Sequence, residues 1–164
     1  MPTRLIVPAD AARILVVMQN NRIASQCVNP AVWDADLVQR YFYGPQTRAI
    51  AYTNTGGTIL AVITGSIWHT ANEDDGVHRY VSLNRIGIHT TVTNAQVNAR
   101  IDDMMKAVLI ELQNVNATNV RFPWLPGSVL TYLRSKLLTD NQEEAVTGGA
   151  VLNGLISAWK ARWP

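Results

Sequence analysis

A long helical pattern set between two extended runs most constrains the fold of this chain. Apolar residues recur every three or four positions over residues 101–112, as on the buried face of a helix packed on a sheet (Ile101, Met104, Met105, Val108, Leu109 and Leu112). An extended run, residues 79–93, precedes this helix, and a short apolar strand, residues 120–124, follows it. This strand–helix–strand order predicts an α/β domain in which the two strands run parallel.

The joint between the first of these strands and the helix has the architecture of a phosphate site but lacks its usual residues. The free N–H groups and the positive dipole end of a helix N-terminus favour anions. Here the joint is Thr-Asn-Ala-Gln-Val-Asn-Ala-Arg, residues 93–100, and no glycine occurs between Gly87 and Gly127. The architecture therefore predicts an anion site, whereas the composition of the joint argues against one.

Length and composition predict one α/β domain. The chain has 164 residues, 48% of them hydrophobic, which suffices for one buried core and is too short for two ordinary ones. Charged residues make up only 16%, and Asn and Thr supply much of the polar surface instead. This composition favours a protein that functions in contact with partners. The net charge of +2 is carried by scattered arginines without a basic stripe, so we expect no nucleic-acid partner.

Cysteine content and hydropathy predict a cytoplasmic protein. Cys27 is the single cysteine, which excludes an internal disulfide and suits a reducing compartment. The first eight residues, Met-Pro-Thr-Arg-Leu-Ile-Val-Pro, lack the apolar core of a signal peptide. No apolar run approaches the roughly 18–20 residues of a membrane span, so none is expected.

The remaining elements follow from turn and cap signals. A strand at residues 4–7 leads into a helix that Asp10 is placed to cap, and a second helix is predicted over residues 30–42. The sequence Asn54-Thr55-Gly56-Gly57 is typical of a hairpin turn between two strands. A further helix is expected to begin near Gly127.

A second apolar pattern at the C-terminus predicts a terminal amphipathic helix over about residues 148–163. The residues at helical intervals are Val151, Leu152, Leu155, Ile156, Trp159 and Trp163. If this helix does not fold entirely onto the sheet, Trp159 and Trp163 offer an aromatic surface to a protein partner or a second copy of the chain. Packing of both indoles within the monomer is the alternative.

The order of these elements resembles the GNAT acetyltransferase fold. Residues 3–14 look like the first strand and helix of that family, and Arg85-Ile86-Gly87-Ile88 matches its fourth strand. The resemblance covers a core of residues 3–138 and implies a mixed, mostly antiparallel sheet flanked by helices, here with an extra C-terminal helix. The sequence departs from the family at its end, where the predicted helix stands in place of the last two strands.

The resemblance implies acetyl-CoA as cofactor and a pyrophosphate loop of the form Gln/Arg-x-x-Gly-x-Gly/Ala. The nearest match is Gln96-Val97-Asn98-Ala99-Arg100-Ile101, so Gln96, Val97, Asn98, Ala99 and Arg100 would hold the pyrophosphate. Ile101 stands where the second glycine is expected, and its branched side chain would restrict the approach of the anion to the backbone. This departure predicts an eroded cofactor site with no bound cofactor.

The resemblance also points to two catalytic residues. Tyr132 lies where the family often has a helical tyrosine that acts as general acid, and a tyrosine with its ring in the core is the commoner alternative. The acidic general base of the fourth strand has no counterpart, which leaves His89 or a water as base. By residue type His89 suits proton transfer near neutral pH, and a hydrogen-bonded strand histidine is the alternative.

Other polar residues carry ordinary structural interpretations. His69 and His78 flank an acidic loop without metal-ligand spacing, so no metal site is predicted. Ser128 precedes a helix and is interpreted as a cap, and Cys27 lacks a basic neighbour that would activate its thiol.

Two functional hypotheses remain. The first is a structural or interaction protein that keeps the GNAT-like fold and has little catalysis. Its Asn- and Thr-rich composition resembles that of phage-encoded proteins such as the internal virion proteins of short-tailed phages, which would place it in the host cytoplasm and the virion. The second hypothesis is a divergent acetyl-CoA-dependent N-acetyltransferase that acts on an amine.

Overall fold

The computed structural model describes six stretches of the chain, namely residues 2–23, 30–69, 79–122, 127–138, 141–146 and 149–164. Cys27, His78 and Trp124 lie outside these stretches, and the side chains of His69 and Ser128 are outside the description as well. The interpretations of these residues therefore stay predictions.

The strands of the described residues form one seven-stranded mixed sheet. Their bounds are β1 Thr3–Leu5, β2 Thr47–Thr53, β3 Ile59–His69, β4 Arg79–Ile88, β5 Asn119–Phe122, β6 Gln142–Val146 and β7 Gly149–Leu155. The spatial order is β1-β2-β3-β4-β5-β7-β6, and only β4 and β5 pair in parallel. This arrangement is the predicted mixed, mostly antiparallel sheet.

Helices cover both faces of the sheet. The α-helices of the described residues are α1 Ala11–Gln19, α2 Ala35–Phe42, α3 Asn94–Asn114, α4 Gly127–Leu137 and α5 Ile156–Arg162. None of them is long and apolar enough to cross a bilayer. All six apolar residues predicted to face inward from α3 are buried, which confirms the helical pattern.

Two apolar clusters lie on opposite faces of the sheet because strand side chains alternate. Ile86 and Ile88 of β4 belong to the cluster formed with α3, α4 and α5, whereas α1 and α2 build the other cluster. Gly87, between these isoleucines, lets α1 rest directly on β4. A Cβ added at Gly87 would lie 2.6 Å from the Met18 Sδ and 3.2 Å from the Val17 Cγ1.

The C-terminal prediction is wrong for half of its length. Residues 149–155, expected to be helical, form strand β7, which inserts between β5 and β6, and α5 begins only at Ile156. The two last strands that the sequence was expected to lack are therefore present. Trp159 is 0% exposed and Trp163 is 4% exposed, so the predicted aromatic surface for a partner is also wrong. Both indoles belong to the core of this chain.

Candidate functional site

Strand β4 parts from β5 halfway along its length. The parallel pairing joins only Tyr80–Ser82 to Asn119–Arg121. On the β3 side, Thr64 pairs with Arg85 and Gly65 pairs with Leu83, so Asn84 is the extra residue of a β-bulge. Bulges recur next to active sites because they disrupt the ladder and leave backbone groups unpaired. The edge of β4 that faces away from β3 therefore opens into a cleft beyond Ser82.

The far end of this edge is covered by residues Asn20–Ile23, which follow α1 and which we call the strap. The His89 N–H donates to the Leu60 carbonyl of β3 (2.8 Å), and backbone groups alternate along a strand, so the groups of Ile86 and Ile88 point into the cleft. Both are bonded by the Asn21 carboxamide: Nδ2 donates to the Ile86 carbonyl (3.1 Å), and Oδ1 accepts from the Ile88 N–H (2.9 Å).

Between β5 and the strap, a short window of the β4 edge remains. It comprises Leu83, Asn84 and Arg85, and no strand of the described residues pairs with it on the cleft side. From Asn84 to Ile88 the strand advances about 13 Å at about 3.3 Å per residue. The cleft therefore joins a bulged strand at one end to the N-terminus of α3 at the other.

The N-terminus of α3 is open to an anion. Thr93 occupies the N-cap position without a side-chain capping hydrogen bond, and the first turn holds no acidic residue. The leading N–H groups of a helix lack intrahelical partners, so this end carries free donors and positive potential. A cavity of about 370 Å³ adjoins it, lined by Arg22, Ile23, Asn94, Val97 and Asn98.

Arg22 brings a full positive charge to this cavity. Its Nη1 donates to the Asn94 Oδ1, and its Nη2 lies 3.4 Å from the Thr90 carbonyl oxygen. Its Nε is buried and has no acceptor among the described residues. The chemistry of the site thus fits a phosphate or diphosphate.

The predicted cofactor residues fall inside α3 rather than before it. Gln96 lies in the first turn, while Val97 and Asn98 line the cavity. Ala99 and Arg100 lie in the second turn, where helical N–H groups are already bonded to the preceding turn. Ile101 is buried in the core, about 10 Å along the axis from Asn94, so it does not obstruct an anion at the helix N-terminus.

The Arg100 side chain is engaged elsewhere. Its guanidinium lies over the Tyr52 ring, 4.2 Å from the centroid, and Nη1 donates to the Tyr52 hydroxyl. Its Nε also approaches the Asp103 carboxylate at 3.2 Å. Arg22, which sequence reasoning missed, replaces it as the charge nearest the helix N-terminus. No motif in the sequence around Arg22 marks it for this position.

His89 lies at the end of β4, on the α1 face. The Thr91 N–H donates to its Nδ1 at 3.1 Å, and a backbone N–H can only donate, so Nδ1 carries a lone pair and the neutral ring holds its proton on Nε2. The Thr91 hydroxyl is 2.9 Å from the same nitrogen. A general base needs a free lone pair, so this arrangement does not favour that role for His89. The ring lines a second cavity of about 190 Å³ with Arg13 and Val16.

Tyr132 is part of a polar cluster between α3, α4 and the C-terminus. Its hydroxyl donates to the Asp102 carboxylate at 2.7 Å, and the Trp163 Nε1–H donates to the same group at 2.8 Å. The Lys136 Nζ lies 3.8 Å away. Burial, then the hydrogen bond and charge of Asp102, raise the pKa of Tyr132 above its ordinary value. The one hydroxyl proton is already committed, which does not favour Tyr132 as general acid.

No group of His, Cys, Asp or Glu side chains suited to a metal ion occurs among the described residues. The predicted catalytic pair is not brought together either, because His89 ends β4 on the α1 face whereas Tyr132 contacts α3. What the fold does assemble is the α3 N-terminus, Arg22 and the open edge of β4. These features form the candidate site.

No protein-family model and no curated protein sequence matches this chain. Its fold, however, is shared with solved GNAT acetyltransferase structures. The GNAT domain of S. lividans PAT superposes with a TM-score of 0.66 at 13% identity, over 93% of this chain and 89% of that one. The ribosomal-protein-S18-alanine N-acetyltransferase of Escherichia coli gives 0.63 at 11% identity, over 94% and 92%.

A third neighbour was solved with a ligand. The GNAT family N-acetyltransferase YhbS from Escherichia coli, in complex with CoA, gives a TM-score of 0.64 at 16% identity, over 96% of this chain and 83% of that one. At these identities the likeness shows the fold alone. It confirms the predicted GNAT-like class of a mixed, mostly antiparallel sheet flanked by helices.

Proposed function

We propose that this protein is an acyl-CoA-dependent N-acyltransferase. The observation that carries the proposal is the uncapped N-terminus of α3, which lines a cavity together with Arg22. The β4 edge lies between this cavity and the bulge at Asn84, which precedes Ile88 by about 13 Å of strand. Coenzyme A has this shape, a diphosphate joined by a long amide-bearing arm to a thiol. GNAT-fold neighbours that bind CoA support the assignment.

Residues of this chain would act by binding and orientation. The first-turn N–H groups of Asn94 and Ala95 would hold the diphosphate together with Arg22, since the Gln96 N–H already donates to the Thr93 carbonyl (2.9 Å). The unpaired backbone at Asn84 is suited to polarise and orient the thioester carbonyl. When bound, an acyl-CoA would supply the acyl group; its transfer to a neutral amine forms the amide bond and breaks the thioester bond, and the proton lost by the amine leaves with the sulfur as the thiol.

The proposed rate enhancement rests on positioning rather than on a side-chain acid or base. Holding two reactants in the correct geometry can supply about 7–11 kcal/mol of a barrier. Tyr132 and His89, the two residues that the family resemblance suggested, each have the relevant atom bonded within the protein. A role as virion component finds no comparable support among the described residues, because Trp159 and Trp163, offered as its interaction surface, are buried.

Titration of acetyl-CoA by calorimetry tests this proposal, with Arg22→Gln as the decisive variant. We expect binding by the wild type and about tenfold or more weaker binding by the variant, because a charge-assisted hydrogen bond contributes about 1.5–3 kcal/mol. Lys160→Gln is the matched control. It removes the same charge beside Gln113, about 28 Å along α3 from Asn94.

Three outcomes are informative. Loss of affinity in Arg22→Gln but not in Lys160→Gln, together with thiol release when acetyl-CoA meets an amine, would support the proposal. Equal affinities in both variants would place the anion site elsewhere. Absence of both binding heat and thermal stabilisation with acetyl-CoA up to millimolar concentration would exclude the function, since linkage predicts about 2.7 kcal/mol of stabilisation at one hundred times the dissociation constant.

Tyr132→Phe is expected to change turnover by less than about threefold. Removal of a true general acid costs about 10²–10⁴-fold, and the Tyr132 hydroxyl is instead committed to Asp102. The same substitution should lower the free energy of unfolding by about 1–2 kcal/mol, since the lost hydrogen bond has a charged acceptor. Steady-state kinetics and urea unfolding on one preparation separate these effects. A hundredfold loss of turnover at unchanged stability would instead establish Tyr132 as the acid.

A further inference from the structure

We propose that the strap, Asn20–Ile23, competes with the amide-bearing arm of the cofactor for the edge of β4, and that Asn21 sets the strength of this competition. The inference rests on the proposed function and deepens it. It adds a residue that controls access to the cleft, at a position that neither the fold class nor the family resemblance marks as functional.

The Asn21 carboxamide imitates the backbone of a neighbouring strand. In a parallel sheet, one residue donates its N–H to the carbonyl of residue i−1 and accepts from the N–H of residue i+1. Asn21 makes this pair of bonds to Ile86 and Ile88, the residues on either side of Gly87 (3.1 and 2.9 Å). Any secondary amide laid along this edge would use the same donor and acceptor, so Asn21 occupies an amide-binding position.

The strap has few backbone contacts to hold it there. Its only strand pairing in the described residues is the isolated bridge between Asn21 and His89. Two backbone hydrogen bonds flank this bridge, from the Arg22 N–H to the Ile88 carbonyl (2.9 Å) and from the Thr90 N–H to the Asn20 carbonyl (3.1 Å). Segments with so few bonds open at low free energy. Besides these bonds, the strap backbone is held by the Asn20 N–H at the end of α1 and by the Ile23 N–H, which donates to the Asn21 Oδ1 (3.2 Å), so the Asn21 side chain supplies as many hydrogen bonds to β4 and its end as the strap backbone does.

The strap also joins the two ends of the site. Arg22, its third residue, faces the anion cavity, while Asn21 lies on the β4 edge that the arm must follow. Ile23 is 6% exposed and fixes the segment in the core beside α3. A ligand with only the anionic group can bind with the strap in place, whereas a ligand with the arm must displace the Asn21 carboxamide.

The test compares two ligands on two proteins. ADP carries a diphosphate without the arm, and CoA carries both. In Asn21→Ala we expect the CoA dissociation constant to fall about tenfold. This is the gain in affinity if Asn21 leaves the β4 edge free in roughly one wild-type molecule in ten and the variant leaves it free in nearly all. The ADP dissociation constant should stay within about twofold, because ADP does not reach Ile86 or Ile88. Calorimetry measures all four affinities.

Hydrogen exchange at the Ile88 amide distinguishes competition for the β4 edge from a purely structural role of Asn21. In Asn21→Ala this amide loses its acceptor and should exchange faster, and CoA, but not ADP, should restore its protection. Unchanged or weaker CoA binding with unchanged ADP binding would overturn the inference. Failure of both ligands to bind either protein would instead refute the proposed function, and the strap would lose its role with it.

A milder variant keeps the test decisive if Asn21→Ala does not fold. Asn21→Ser retains one hydroxyl, which can serve only one of the two β4 positions, and the protein then keeps part of the wild-type contact. We expect a smaller decrease in the CoA dissociation constant, in the same direction and again without a change for ADP. Equal CoA affinity in a folded Asn21→Ser protein would count against the strap as competitor.

Discussion

Replacing Trp159 with alanine is expected to lower the free energy of unfolding by about 3–5 kcal/mol, the range for a large aromatic side chain lost from a core. Trp159 is 0% exposed and is among the largest side chains with no solvent contact. Its ring packs in the apolar cluster that α3, α4 and α5 form with the sheet, and it lies against Gly154 of β7. Urea unfolding monitored by far-ultraviolet circular dichroism measures the change. A loss below about 1 kcal/mol would mean that α5 does not dock as described.

Gly154→Ala supplies the partner for a thermodynamic cycle and reports on the conformation of residues 149–155. A Cβ at position 154 would lie 2.1 Å from the Trp159 Nε1, so the variant should be destabilised by about 1–3 kcal/mol through overpacking. In a helix the same change would stabilise by about 0.5–1 kcal/mol. In the Trp159→Ala background the new methyl enters space that the indole has left, so the two effects should not add.

Gly56→Ala is the matched control for that cycle. Its Cβ would meet only the Asn54 Oδ1, at an ordinary 3.5 Å, in an exposed turn. We expect a change within about 0.5 kcal/mol. Strict additivity of Gly154→Ala and Trp159→Ala would show that the cost of Gly154→Ala does not come from contact with the indole.

The C-terminal segment shows where an apolar sequence pattern does not determine the secondary structure. The apolar positions from Val151 to Trp163 fit a helix, but a short apolar run fits a buried strand equally well. What decides the matter is pairing with β5, whose residues lie thirty or more positions earlier, for example Phe122 opposite Leu152. A local signal did exist, because Thr147-Gly148-Gly149 is typical of a hairpin turn. By contrast α3 was predictable, since its 21 residues repeat one period.

The secondary-structure elements that form the candidate site could be predicted from the sequence, but the side chains that line it could not. The strand that leads to the N-terminus of α3 was predicted from sequence, and this N-terminus has no side-chain cap although the joint before it contains no glycine. Arg22 and Asn21 reach their partners across more than sixty residues of chain, Ile86 and Asn94 among them. Such contacts are set by how α1 packs on β4. A local motif cannot encode them.

Replacing Arg4 with methionine is expected to lower the free energy of unfolding by about 2 kcal/mol at neutral pH. The Asp10 carboxylate is buried and accepts from the Arg4 Nη1 and Nη2 at 2.7 and 2.9 Å, and from the Val7 N–H at 2.8 Å. Removing one partner of a buried pair costs about 3–5 kcal/mol. The Arg4 side chain remains 40% exposed, so solvent screening reduces that figure here.

The loss of unfolding free energy in Arg4→Met should depend on pH, and the protonation of Asp10 sets the direction of that dependence. The hydrogen bond from Arg4 is the main cause that holds the pKa of Asp10 below its ordinary value. A carboxyl with a lowered folded pKa stabilises the protein fully above its unfolded pKa of about 3.9, and this contribution is lost as pH falls through the folded pKa. Burial, then the charge of Asp10, raises the pKa of neighbouring Tyr43 to about 12, so its phenol stays neutral in this range.

Urea unfolding of wild type and Arg4→Met at pH 7, 5 and 3 checks this expectation. The difference in unfolding free energy should be similar at pH 7 and 5 and should shrink at pH 3, because protonation of Asp10 removes the charge that Arg4 compensates. Arg134→Met is the control, since it breaks the pair with Glu143 on an exposed surface and should change stability much less. A difference of equal size at pH 3 would show that Arg4 stabilises β1 through packing of its aliphatic stem rather than through its charge.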